Sequence, residues 1–393
     1  MKKNTLAAHN IRFLFWAQLF GSVKFLTPVL TLFYFARGLD EATILIVLFF
    51  WSSGVLIGEL PTGVFADKYG AKLSFLCGSV LAIISQGLLL FSFVPWVFFV
   101  SSFLNGFSAT FFSGADESLI YESLKESNEE KLMDKAMGII QSAEFVVMIG
   151  VVIIGAIIAK DLSNKQFTIL ILSGLLFQSL QLSLLFFIKN PSNQGINQHS
   201  PLQQIKEGLN VIRRAPQVLW MFLNVTLVFI PTAAVFDNFD QKLLTDAGLP
   251  VQLIGIVYAV GAMLSFFASR SIGWITLRLS RVILLYATGG LGVLGLAIAA
   301  INQQNLFVVL GVIFLLRFVT AVRYPIYSQL SNDIFPSNVR ATTISLLSIL
   351  DSICDLVIFS SLAGIAILGF KELFIAGAVV ALVGSLLPVK PVT

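Results

Sequence analysis

The chain has 393 residues, of which 57% are hydrophobic and only 12% charged, and its mean hydropathy is +0.90. Soluble domains carry about 25% charged residues, so this sequence cannot cover a water-facing surface and must face lipid, which excludes a string of soluble domains. The net charge of +4 matters through its distribution, because Lys and Arg gather on the cytoplasmic side of membrane proteins.

In chain order, Met-Lys-Lys-Asn leads straight into a long apolar stretch with no small-residue cleavage site, which predicts a retained first span and not a removable signal peptide. A bilayer is crossed by about 20 apolar residues. Runs of that kind predict an all-α integral membrane fold of twelve transmembrane helices, near 12–36, 42–65, 73–94, 96–122, 136–159, 167–188, 216–236, 250–275, 282–301, 306–328, 341–367 and 372–389. With the N-terminus inside, the inner segments hold sixteen Lys and Arg residues and the outer ones five (Arg37, Lys160, Lys165, Lys242 and Lys371). That asymmetry predicts that both termini are cytoplasmic.

The longest polar stretch divides the chain into a six-helix bundle over 1–189, a cytoplasmic linker over 190–215 and a second six-helix bundle over 216–393. Within the linker, Ile205, Leu209 and Ile212 recur at helical spacing among charges, as in an amphipathic helix lying on the membrane surface. The two halves are pseudo-symmetric. A shift of 210 residues lays Gly38-Leu39 on Gly248-Leu249, Ile46 on Ile256, Gly63 on Gly273 and Lys68 on Arg278 without a gap. Parallel half-repeats of this kind are a transporter architecture. Pro28 and Pro231 fall at matching places in the two halves and predict kinks in the first and seventh spans.

The loop after the second span reads Gly63-Val-Phe-Ala-Asp67-Lys68-Tyr-Gly70-Ala71-Lys72. It resembles the signature loop of the major facilitator superfamily in both pattern and position. A second stretch, Ser113-Gly-Ala-Asp116-Glu117-Ser-Leu-Ile-Tyr121-Glu122, and its partner Arg323-Tyr-Pro325 with Arg340-Ala-Thr-Thr-Ile-Ser345, look like a prokaryotic general or drug-type permease branch of that superfamily. The resemblance covers the whole chain. It implies that Gly63, Asp67, Lys68, Gly70 and Lys72, with Asp116, Glu117 and Arg340, form an inner gate. Two positions depart from the family: Ser102 stands where a helix-four arginine is expected, and the fifth span carries Gly150 and Gly155 without the proline of the antiporter motif.

An ionisable group near the bilayer centre costs a few kcal/mol, about 2.5–3.5 on insertion scales, and points to a pathway or a buried pair. Lys24 lies in the middle of the first span, Glu144 in the inner half of the fifth, Arg317 and Arg323 in the tenth, and Asp351 and Asp355 in the eleventh. The family fold puts those spans along the pathway or at its seam, so Lys24, Arg317 and Arg323 are the candidate substrate-binding residues. Asp351, Asp355 and Glu144 are the candidate proton carriers. Lys24 and Arg317 call for an anion, either Asp355 or an anionic group of a substrate. Asp237 and Asp240, at the outer end of the seventh span, read as solvated.

Nothing in the sequence points to catalysis. His9 and His199 fall in terminal and linker segments, Cys77 and Cys354 sit in apolar runs that suggest neither disulfide nor metal, and no Gly-x-x-x-x-Gly-Lys loop cradles ATP. No cofactor, metal or nucleic acid is expected. The resemblance implies a secondary active transporter in a prokaryotic cytoplasmic membrane. It would act as a monomer in lipid, moving a small organic solute by alternating access with proton coupling and outward direction. A facilitative or uptake permease for an anionic or zwitterionic metabolite is the alternative, and a non-transporting receptor or scaffold is the alternative of another class.

Overall fold

The computed structural model describes residues 5–192, 216–334 and 340–389, with the side chains of 331–334 and 340–345 outside that description. All of the regular structure in those residues is helical, as lipid demands of a backbone that must satisfy its own hydrogen bonds. The first span is α1 (Leu6–Gly21) and α2 (Leu30–Ala36). The second and third are α3 (Glu41–Tyr69) and α4 (Ala71–Leu88). The fourth is α5 (Pro95–Thr110) continued by α6 (Ala115–Glu126), and the fifth and sixth are α7 (Met133–Ile158) and α8 (Asn164–Leu185). The seventh is α9 (Pro216–Phe229) and α10 (Phe236–Asp246), joined by a π-helical segment, Ile230–Val235. The remaining five are α11 (Val251–Thr276), α12 (Arg281–Ile301), α13 (Leu306–Ile334), α14 (Arg340–Ala366) and α15 (Phe370–Leu386).

Three spans differ from their expected form. The first is not one helix: it breaks after Gly21, passes a 3-10 turn at Thr27–Val29 and resumes at Leu30. A proline ring clashes with the carbonyl four residues earlier, which for Pro28 is that of Lys24. The backbone there turns instead, with the Lys24 N–H donating to the Ser22 carbonyl (3.0 Å) and the Thr27 N–H to the Lys24 carbonyl (3.0 Å). Lys24 therefore sits in a helix break and not in mid-helix. The fourth span is divided at Gly114, whose φ of +69° is a conformation that glycine adopts without strain. The seventh span does not end near 236 but runs on to Asp246. Pro231 is absorbed by the wide π turn, where the Thr232 hydroxyl donates to the Val228 carbonyl (2.6 Å) and Asn238 Nδ2 to the Ala234 carbonyl (2.7 Å). The expected linker helix and His199 lie outside the described residues.

The fold divides into two compact units, Met1–Pro28 with Phe50–Pro201, and Val29–Phe49 with Leu202–Thr393. In the first, Asn10 is wholly buried. Its amide donates to Ser123 Oγ (2.9 Å) and the Lys189 carbonyl (2.8 Å), and its oxygen accepts from the Lys189 N–H (3.0 Å). That fully used amide ties α1 to α6 and to the end of α8. In the second, α2 packs on α10: the Thr31 N–H donates to Gln241 Oε1 (2.9 Å), and its hydroxyl donates to the Asn238 carbonyl. Asp40 opens α3, accepting from the Thr43 N–H (2.8 Å), and the hydrogen bonds from Thr43 hold its carboxyl below the usual carboxylate range.

Within a bilayer, helices associate through close packing at small residues. In the first unit α3 and α5 cross at Gly54 and Gly106. A Cβ on Gly106 would lie 2.1 Å from the Trp51 carbonyl oxygen, and one on Gly54 2.2 Å from that of Phe103. Backbone cannot yield as a flexible side chain can, so Gly106→Ala is expected to separate the helices at a cost of about 1–3 kcal/mol, the range for overpacking. Gly138→Ala, on α7 in open space, is the control. Thermal unfolding in detergent should fall clearly for the first and stay unchanged for the second; equal melting would rule out the tight crossing.

Candidate functional site

The second unit contains a cavity of about 440 Å3 between α9, α13 and α14. Its wall is largely aromatic and aliphatic, with Phe222, Phe229, Tyr324 and Tyr327 prominent, and its polar groups include Thr226, Thr320, Ser348, Arg323 and Asp351. The two charged residues differ in what they offer a ligand. Arg323, 3% exposed, spends its guanidinium on the protein. Nη1 donates to the Leu285 carbonyl (2.5 Å) and Thr288 Oγ1 (3.3 Å), and Nη2 to the Asn224 carbonyl (2.9 Å) and Asn224 Oδ1 (2.8 Å). Gly289 makes room for it, since a Cβ there would lie 3.2 Å from Nη1. Arg323 thus pins α9, α12 and α13 together. Asp351 is half-buried, and its Oδ1 accepts from Thr226 Oγ1 (3.0 Å). Asp355 follows one turn later on α14, close enough for both carboxylates to act on the Cys354 thiol between them.

Arg317 finds its carboxylate elsewhere than in Asp355. Its Nη2 lies 3.3 Å from Asp240 Oδ2, and its guanidinium carbon stands 4.7 Å from the centroid of the Tyr258 ring. The Tyr258 hydroxyl donates to Asp240 Oδ1. Asp240 is 0% exposed, which corrects its reading as a solvated helix end: the span that carries it does not end near 236 but continues to Asp246. Asp237 acts electrostatically on the same arginine. Gly261 lets α11 approach that arginine, as a Cβ would lie 2.7 Å from Arg317 Cδ. The sequence pointed to Asp240 only as a solvated helix end and did not single out Tyr258. The available signal was the i, i+3 spacing of Asp237 and Asp240, which puts two acids on one helical face.

In the first unit Lys24 is exposed at the break, and the acidic group acting on it is Glu144 of α7, also exposed. Residue Gly155 of α7 approaches that break closely, since a Cβ there would lie 2.1 Å from the Phe25 carbonyl oxygen. The candidate gate residues divide by role. Gly70, at φ +88°, makes the turn between α3 and α4, whereas Gly63 lies inside α3 with open space around it and makes none. Asp67, Lys68 and Glu117 are exposed and Lys72 and Asp116 half-buried. Lys68 Nζ stands 5.1 Å from the Tyr69 ring centroid. Asp116 and Glu117 open α6, where the helix dipole favours acids, and Asp116 Oδ1 accepts from the Glu117 N–H (2.8 Å). The side chain of Arg340 lies outside the described residues.

Among the described residues, ten helices are long and apolar enough to cross a membrane. The broken first span and the 17-residue α15 complete twelve, and with ionisable side chains gathered on a minority of them this is a polytopic transporter fold. The chain belongs to the Major Facilitator Superfamily, whose family model matches residues 14–354. It is 25% identical over 349 residues to the uncharacterized MFS-type transporter YxaM of Bacillus subtilis (strain 168), covering 84% of this chain and 83% of that one. Among solved structures it is similar to a mutant form of the nucleoside transporter NupG, with a TM-score of 0.80 at 12% identity over 97% of this chain and 98% of the other. It is also similar to a D-xylose-proton symporter, with a TM-score of 0.71 at 14% identity over 97% and 96%. At such identities the structural likeness defines the fold alone.

Proposed function

We propose that this chain is a proton-coupled secondary active transporter exporting a small amphiphilic solute with an amine or similar donor group. It works as a monomer by alternating access, with both termini in the cytoplasm. The observation that carries the substrate class is the cavity of the second unit. Its arginine already makes four hydrogen bonds to the protein, while Asp351 faces an aromatic wall with Thr226 as its hydrogen-bond donor. A carboxylate among aromatic rings attracts a cation through charge and through the ring faces. Proton coupling draws support from the buried Asp240 on α10 and from the proton symporter of the same fold. Uptake of an anionic or zwitterionic metabolite is the second reading, favoured by the exposed Lys24 in its helix break, because interrupted membrane helices bind substrate groups in several transporters.

The test uses liposomes carrying the purified protein, an acidic interior and an external aromatic quaternary ammonium probe, whose permanent charge prevents neutral leakage. Accumulation driven by the imposed gradient and abolished by a protonophore is expected. Equal uptake into protein-free liposomes would refute the export reading, and accumulation of anionic solutes alone, with the gradient reversed so that the exterior is acidic, would select the second one.

A further inference from the structure

We propose that Asp237 and Asp240 form a carboxylate pair that binds one exchangeable proton beside Arg317 and Tyr258, and that this pair is the proton site of the transporter. The proposal rests on the proton-coupled reading above and moves the carrier away from Asp351, Asp355 and Glu144.

The argument is one of charge balance in a buried place. Both oxygens of Asp240 are engaged, Oδ2 with Arg317 Nη2 at 3.3 Å and Oδ1 with the Tyr258 hydroxyl. Asp237 lies three residues earlier on the same helical face and acts on the same guanidinium. The ionisable groups brought by the packed elements are Tyr34 and Arg37 from the α2 end, Tyr258 from α11, Arg317 from α13, and the exposed Lys371 and half-buried Glu372 from α15, whose Phe370 and Phe374 pack on Phe239 and Phe236, with Lys242 and Asp246 paired to each other on α10 itself. Arg37 stands over the Phe33 ring, 5.4 Å from its centroid. Among the described residues, Arg317 is the cation that acts on Asp237 and Asp240. Two carboxylates against one guanidinium leave one negative charge uncompensated, and an uncompensated buried charge is expensive. Binding one proton removes it, and losing that proton restores it. Such a pair titrates as a unit.

The location fits a device that must move. The pair begins within two residues of the π turn Ile230–Val235, and π turns inside α-helices often mark functional sites. A shift in that turn carries Asp237 and Asp240 relative to Arg317 on α13, so that helix geometry and proton affinity change together.

The experiment needs no knowledge of the substrate. Infrared difference spectra of the purified protein in detergent, recorded across a pH titration, report the carbonyl band of a protonated carboxylic acid. One such band titrating above about pH 6, clear of exposed Asp and Glu carboxyls at about 3.9 and 4.3, is expected in the wild type and in Asp351→Asn. It should be lost in Asp240→Asn and equally lost in Asp237→Asn, because either change leaves one carboxylate matched to one guanidinium. Tyr258→Phe should keep the band and shift the pH at which it disappears. If Asp240→Asn fails to fold, Asp237→Asn at the half-buried position decides. A band that survives both single variants, or its absence from the wild type, overturns the assignment. The coupling reading fails separately: the band would titrate as described while the liposome probe ignores the imposed gradient.

Discussion

Arg323→Ala is expected to destabilise the second unit by about 3 kcal/mol, since side-chain hydrogen bonds inside membrane proteins average about 0.6 kcal/mol each and four are lost, with buried acceptors left unsatisfied besides. The change takes one donor from each of the Asn224 and Leu285 carbonyls and leaves the buried Asn224 Oδ1 without its donor at a three-helix junction. Arg323→Lys should recover less than half of the loss, because an ammonium cannot present two parallel donor pairs as a planar fork does. Thermal unfolding in detergent reads both. Should Arg323→Ala melt like the wild type yet lose affinity for solutes, the arginine belongs to the binding surface and the structural account fails.

Asp351→Asn is expected to behave in the opposite way, losing ligand affinity while keeping stability. A quaternary ammonium has no N–H to donate, so its attraction to the carboxylate is Coulombic, about 1–4 kcal/mol at 4 Å between aqueous and near-surface screening, and at about 1.4 kcal/mol per tenfold affinity for an aromatic quaternary ammonium probe should fall by roughly fivefold to several hundredfold. Asp351 takes one hydrogen bond from Thr226, and an asparagine oxygen still accepts it, so melting should shift little. A neutral probe of the same shape should bind both proteins equally. If Asp351→Asn leaves the cationic probe unaffected, or weakens the neutral one as much, the carboxylate does not select the solute. The pair of outcomes also separates the two charged residues of one cavity: one supports the wall and the other faces the guest.

What was legible in the sequence follows from how sharply physics constrains each feature. Lipid forbids polar surface, so the spans and the charge asymmetry could be counted. Gly70 could be recognised because a turn between two spans requires a positive φ there. Prolines were legible as positions but not as outcomes. Pro28 breaks the helix four residues upstream, at Lys24, whereas Pro231 is accommodated by a widened turn that lets the helix continue. That difference decides whether Asp240 is solvated or buried, and a span length cannot supply it. Partner choice was equally hidden. Several acids could have balanced Arg317 by depth alone; the selection of Asp240 depends on Gly261, which lets α11 approach the arginine and bring the Tyr258 hydroxyl with it.

The membership of Val29–Phe49 in the second unit has a consequence for the order in which the protein can be made. Thr31 leaves the ribosome early, but the side chain that receives its N–H, Gln241, lies 210 residues further along the chain, and the Asn238 carbonyl that receives its hydroxyl lies 207 residues along. Until the seventh span has been synthesised and inserted, the outer half of the first span has no native neighbour in α10. The second unit is therefore begun by Val29–Phe49, translated between two segments of the first unit, and cannot be closed until the seventh span is in the bilayer. The first unit meets its own requirements sooner, with Asn10 satisfied by Ser123 and Lys189. Translation thus completes the two units in sequence, while a segment of the earliest-made helix waits in the membrane for the later one.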